Sequence, residues 1–84
     1  MMRRAEKMAV DAHILVDMTG EKTHVVLNKV TKLKDVRSAQ AVTGSHDAIV
    51  QVRAADMIKL GHLVMNQIRG ISGVGRTLTC VVAD

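Results

Sequence analysis

Val42-Thr43-Gly44-Ser45-His46-Asp47-Ala48-Ile49-Val50 lies mid-chain, and its reading decides the fold. An apolar alternation runs up to it from Val36, and another leaves it as far as Arg53. Gly44-Ser45-His46 between them is a hairpin-length loop of turn-forming residue types. Residues 36–43 and 47–53 are therefore expected to be neighbouring antiparallel strands. The same loop carries chemistry. Gly44 lets another molecule approach the backbone closely. Ser45 and His46 offer donors and acceptors, and Asp47 offers a carboxylate for an ammonium group. Equally, Gly44 could simply make the turn and Asp47 cap it. On residue chemistry alone both readings stand.

Working outward, residues 12–18 (AHILVDM) are β-branched and apolar and read as a strand. After Gly20 the period changes. Val26, Val30 and Leu33 form one stripe, with Lys22, Asn28, Lys29 and Lys32 off it, as an amphipathic helix over 21–33 requires. Glu21 and Lys32 at its two ends suit the helix dipole. Downstream, Asp56 is a good N-cap. A second helix places Met57, Leu60, Val64, Ile68 and Ile71 on one face. Gly61 inside it suggests close approach to the sheet, and neutral drift would account for it equally. Gly70 and Gly73 end it, and residues 76–83 (RTLTCVVA) form a last strand. The order β-α-β-β-α-β with right-handed crossovers is α+β and ferredoxin-like. It implies an antiparallel sheet ordered 4-1-3-2 with both helices on one face.

The two-residue strand period then assigns faces. Ile14, Val16, Met18, Ala48, Val50, Val52, Leu78, Cys80 and Val82 should lie under the helices. His13, Leu15, Asp17, Ile49, Gln51, Arg53, Thr77, Thr79 and Val81 should lie on the other face. A sheet face left in water should be mostly polar. Leu15, Ile49 and Val81 make this one mixed, which suits an interface. Asp17 and Arg53 are candidates to pair at its rim.

The bulk numbers agree. The chain has 84 residues, no Phe, Tyr or Trp, and one cysteine. A domain of this size buries only about 60–65% of its unfolded surface. Without aromatic rings or a disulfide, a monomer would be marginal. Face-to-face packing of two sheets across a two-fold axis would answer both problems. The lone Cys80 and the absence of a signal or an apolar span point to the cytoplasm. The net charge is +4, but the basic residues are scattered and no stacking platform accompanies them. Neither direct nucleic-acid binding nor membrane binding is expected.

The evidence for catalysis is weak. His13, His24, His46 and His62 stand too far apart in sequence to form a local metal-ligand pair, so no metal is expected. His24 and His62 should face solvent. Cys80, expected under the helices, reads as a small hydrophobe. ISGVGRT lacks a phosphate-loop lysine. No cofactor and no catalytic residue is assigned.

VTGSHDAIVQVRA, ADMIKLGHLVMNQI and GVGRTLTCVV together resemble the ligand-binding (RAM) domain of Lrp/AsnC-type regulators over residues 12–83, with 1–11 a leader before a domain over 12–84. The most specific part is the glycine–spacer–aromatic–aspartate turn, matched by Gly44, Ser45, His46 and Asp47. His46 stands where the family usually has an aromatic residue. Lys34-Asp35-Val36 replaces a usual Pro-Gly-Val turn. The resemblance is to the stand-alone versions of the domain. It implies sheet-to-sheet dimers forming α/β barrels and rings of dimers. It also implies a small effector, usually an amino acid, in clefts between dimers. By position, Thr43, Gly44, Ser45, His46 and Asp47 would bind it, with Thr77 and Thr79 as neighbours. The dimer face would be His13, Leu15, Asp17, Ile49, Gln51, Arg53 and Val81. The family's DNA-binding half does not fit in the chain, so any transcriptional effect would pass through full-length relatives. A small monooxygenase-like enzyme of the same architecture and a structural adaptor are the competing expectations.

Overall fold

Alternation of buried and open positions along Val10–Met18 (β1) organises the molecule. Ala12, Ile14 and Val16 are 2% exposed or less, while the residues between them are half-buried. The computed structural model describes residues 9–20 and 22–83. Residues 1–8, Glu21 and Asp84 lie outside the described residues, and with them part of the expected leader and the expected helix start. After β1 come α1 (Thr23–Thr31), β2 (Val36–Ala41), β3 (Ala48–Ala54), α2 (Met57–His62), a π-helical segment (Leu63–Ile68) and β4 (Val74–Val81).

The four strands form one sheet ordered β2-β3-β1-β4, with every pairing antiparallel. This is the ferredoxin-like α+β arrangement expected from the sequence, read from the opposite edge. Ile14, Val16, Val50, Val26, Val30 and Ile68 are the largest fully buried side chains. They form a single aliphatic layer between sheet and helices. Burying each contributes about 1.5–3 kcal/mol.

The helices are shorter and less regular than their sequence stripes. In α1, Val26, Leu27 and Val30 are buried. Leu33 lies past the helix end, in a tight turn where its N–H donates to the Val30 carbonyl at 3.0 Å. Asp56 caps α2 as expected: its Oδ1 accepts the Lys59 N–H at 2.8 Å. Beyond α2 the chain winds more widely, and the Arg69 N–H reaches back five residues to the Val64 carbonyl at 3.0 Å. Leu60, Leu63, Val64 and Ile68 face the sheet. Met57, expected on that stripe, is 58% exposed. Gly61 does not mark a close approach, since a Cβ there would meet no atom within 4 Å.

The main correction concerns β4. Val16 pairs with Thr77, but Met18 pairs with Val74, so Gly75 and Arg76 together oppose Asp17. This bulge shifts the side-chain phase of the strand by one residue. Glycine is needed there: a Cβ on residue 75 would lie 3.0 Å from the Asp17 carbonyl oxygen and 3.0 Å from the Thr19 γ-methyl. Past the bulge, Thr77, Thr79 and Val81 stand opposite Val16, Ile14 and Ala12 and share their helix side. Leu78 and Cys80 stand opposite Leu15 and His13 on the open side. Val81 therefore leaves the expected dimer face, and Thr77 and Thr79 leave the helix-free side expected for them. Cys80 is exposed rather than buried. Leu78 and Val82, also expected under the helices, are 52% and 46% exposed.

Candidate functional site

The β2–β3 turn is bonded firmly to the end of β1. Gly44 has φ +140°, a conformation that side-chain-bearing residues rarely adopt. The Val42 N–H donates to the Asp47 carbonyl at 3.0 Å, and the Asp47 N–H to the Val16 carbonyl at 2.9 Å. The Asp47 carboxylate accepts the Met18 N–H at 2.8 Å, which extends the β1–β3 ladder beyond its last paired residues. Asp47 thus caps the end of β1 with its side chain, where the sequence suggested a cap on its own turn. Thr43, Gly44, Ser45 and Asp47 are exposed, and His46 is half-buried.

His46 does not meet its neighbour Asp47. Its Nδ1 lies 3.0 Å from Oδ1 of Asp17 on β1. The pair fixes the imidazole over the open sheet face. The expected Asp17–Arg53 pair is absent for a register reason. Arg53 stands opposite Asp11, and its Nε and Nη2 donate to the two Asp11 oxygens at 2.7 and 3.1 Å. The hydrogen bond from Arg53 holds the Asp11 carboxyl below the usual carboxylate range against some desolvation. The positive charges of Arg53 and Arg37, with His13, add to that effect.

The open face therefore has an apolar middle and two polar ends. Leu15, Ile49, Leu78 and Cys80 make the middle. At the end away from the turn, Asp11, His13, Arg37, Gln51, Arg53 and Val82 line a hollow of about 500 Å³. At the turn end, Leu15, Asp17, His46, Arg76, Thr77 and Leu78 line a second hollow of about 260 Å³. Of the residues expected at the effector site, only His46 and Thr77 reach this hollow. Thr79 instead borders an apolar groove with Met57, Leu60 and Met65 on the helix side. The sequence reading missed Arg76, Asp11 and Arg37. The signal for Arg76 was Gly75 inside an otherwise regular strand pattern, which marks a bulge.

Asp17 orients His46 as a carboxylate orients a general base. However, no hydroxyl or thiol is hydrogen-bonded to the imidazole among the described residues, so the dyad has no nucleophile. Nor do the described residues include a group of three or more His, Cys, Asp or Glu that could hold a metal ion. The arrangement offers recognition chemistry: opposite charges, a hydroxyl and an aliphatic floor.

A family model, the Lrp/AsnC ligand binding domain, matches residues 11–84. The chain belongs to the Lrp/AsnC ligand-binding domain family. An uncharacterized HTH-type transcriptional regulator of Pyrococcus furiosus is 36% identical over 56 residues, covering 67% of this chain and 37% of its own length. A similar regulator of Pyrococcus abyssi is 30% identical over 73 residues, covering 87% of this chain and 46% of its own. This Lrp/AsnC domain thus spans less than half the length of these curated relatives. A solved protein of Thermus thermophilus is 27% identical, with TM-score 0.83, covering 89% of this chain and 94% of that one. Escherichia coli AsnC shares the fold at TM-score 0.87 and 21% identity, over the whole of this chain and 58% of its own. No helix among the described residues is long and apolar enough to cross a membrane.

Proposed function

We propose that this Lrp/AsnC domain is an oligomeric effector sensor that binds an amino acid or similar small metabolite and signals through assembly. The observation that carries the reading is the position of the β2–β3 turn. His46 reaches from it onto the open face beside Leu15 and Leu78, so a ligand held there also meets whatever covers that face. The correction to β4 strengthens the case for a cover. It replaces Thr77, Thr79 and Val81 on that face with Leu78, Cys80 and Val82, and a second copy of the chain would hide them.

A ligand that contacts two copies binds the assembled state preferentially and shifts the equilibrium toward it. The Neisseria meningitidis regulator solved as an L-Met complex has the same fold, at TM-score 0.84 and 24% identity, and lends weight to an amino-acid effector. Residues 12–84 act as the regulatory domain, with 1–11 as a leader. Dimers pair by their sheets and build larger rings. The domain works in the cytoplasm without catalysis, and its assembly is a means by which HTH-type regulators of this family could be controlled. Light scattering during titration with an amino-acid panel tests this. The mass or the melting temperature should change with one or more amino acids, and indifference to the whole panel would refute the reading.

A further inference from the structure

We infer that the end of the open face away from the turn binds the phosphate group of a small phosphomonoester, held by Arg37 with His13 and Gln51 in the hollow of about 500 Å³. This site stands apart from the β2–β3 turn and does not depend on the effector reading.

A bulge in β2 is the first argument. Val36 pairs with Val52 and Ser38 with Gln51, so Arg37 is an extra residue on an edge strand. Bulges of this kind re-aim side chains. Here two successive residues reach the open side. The Ser38 hydroxyl donates to Oε1 of Gln51 at 3.2 Å, and Arg37 lines the hollow. Gln51 lines it too, and with its oxygen bonded to Ser38 it keeps its NH2 group as a donor.

Charge is the second argument. Arg37, Arg53 and Asp11 all line the hollow, which sets two guanidiniums against one carboxylate. Asp11 is engaged by Arg53, whose Nε and Nη2 donate to its two oxygens at 2.7 and 3.1 Å. The side chains of Arg37 and His13 make no hydrogen bond among the described residues. Both nevertheless act on the Asp11 carboxyl through space, so they belong to the same electrostatic cluster. One positive charge is left uncompensated, and His13 adds a second when protonated. A phosphate dianion matches that excess, and a guanidinium presents the planar fork of donors that phosphate oxygens accept.

Size and place are the third argument. The hollow falls within the roughly 300–1,000 Å³ of small-molecule sites, so a bound phosphate leaves room for the organic group it esterifies. Asp11 and Arg53 stand near the ends of β1 and β3, and Val82 lies just past β4. A ligand entering from the strand ends need not cross the apolar middle that a second copy is proposed to cover.

The test is titration of the purified full chain with inorganic phosphate and with glucose 6-phosphate, at constant ionic strength so that general screening does not change. Amide shifts in proton–nitrogen NMR spectra report where each binds, and calorimetry reports how tightly. Both should bind, with the largest shifts at His13, Arg37, Gln51 and Arg53. Acetate, with its single charge, should bind at least tenfold more weakly. Arg37→Gln should weaken phosphate about tenfold to a hundredfold, as expected for a lost bond to a charged group. Arg37 is exposed, so the variant should keep the wild-type circular dichroism spectrum. Arg69→Gln removes another exposed arginine, one that follows the π-helical segment, and should leave the affinity unchanged. If Arg37→Gln binds as tightly as wild type, or both variants weaken binding alike, phosphate is responding to overall charge and the assignment falls. Shifts centred on the turn would overturn it as well. If inorganic phosphate binds and glucose 6-phosphate does not, the phosphomonoester falls. If neither binds the wild-type chain, the site falls, and the effector reading is still judged by its own amino-acid panel.

Discussion

Gly75→Ala and Gly61→Ala are the same chemical change in one small domain, and the structure gives them opposite signs. At Gly75 the added methyl would sit 3.0 Å from the Asp17 carbonyl oxygen and 3.0 Å from the Thr19 γ-methyl. The methyl can rotate away, but the carbonyl belongs to the β1 backbone and cannot. Overpacking of this kind costs about 1–3 kcal/mol. In a domain of this size each kcal/mol moves the melting midpoint by about 4–8 °C, so Gly75→Ala should lower it by about 5–20 °C. At Gly61 the methyl would meet nothing within 4 Å, and the residue lies in the regular part of α2. Alanine there gains up to about 1 kcal/mol of helix propensity and should raise the midpoint by a few degrees. Thermal and urea denaturation at one fixed protein concentration would measure both, since assembly couples stability to concentration. A Gly75→Ala variant as stable as wild type would refute the bulge, and with it the assignment of Leu78 and Cys80 to the open face.

Other consequences follow from named contacts. Leu78→Ser on the open face should weaken the dimer by about 3–6 kcal/mol, because two-fold symmetry loses two leucines at about 1.5–3 kcal/mol each; sedimentation would show it, and an unchanged association constant would count against the interface. Asp56→Ala removes the carboxylate that caps α2 and should cost about 0.5–2 kcal/mol in urea unfolding. Asp11 has a lowered folded-state pKa. Its stabilising share is therefore present above its unfolded pKa and lost as pH falls through the folded one. Asp11→Asn should flatten that acid limb of the stability profile, and Arg53→Gln should return the Asp11 carboxyl toward the usual range in an NMR titration.

The fold could be read from the sequence because its signals were local and redundant. The period of two around Ile14, Val16, Val50 and Val52 and the glycine-bearing loop at Gly44 each pointed to one topology. So did the cap at Asp56, which the structure forms as read. What failed depended on register. Strict alternation from Arg76 onward placed Cys80 inside, because the pattern itself does not reveal that Gly75 and Arg76 share one partner position. Gly75 was a visible clue, and the apolar character of both phases of LTCVV masked the error. The site was legible only in part. The turn was evident, while the sequence left Asp47 open between a cap and a ligand contact, and its bond to the Met18 N–H on β1 is a long-range one. The Asp17–His46 and Asp11–Arg53 pairs were not evident, since both join residues distant in sequence; the second is fixed by facing positions on β1 and β3, and the first by the turn folding back over the end of β1. Of the two readings of Gly61, close approach fails and neutral drift stands, because nothing lies within 4 Å of a Cβ there.

β4 closes one side of the sheet as an edge strand, and its composition has a cost for the isolated chain. Residues 77–82, TLTCVV, contain no charge and no proline, the features by which exposed rims usually discourage unwanted pairing. A lone protomer offers this rim, with Leu78 and Val82 exposed beside it, to any other extended segment it meets. Finding its proper mate is thus also a safeguard against fibrous growth. Variants that separate the copies should be watched for turbidity as well as for lost response.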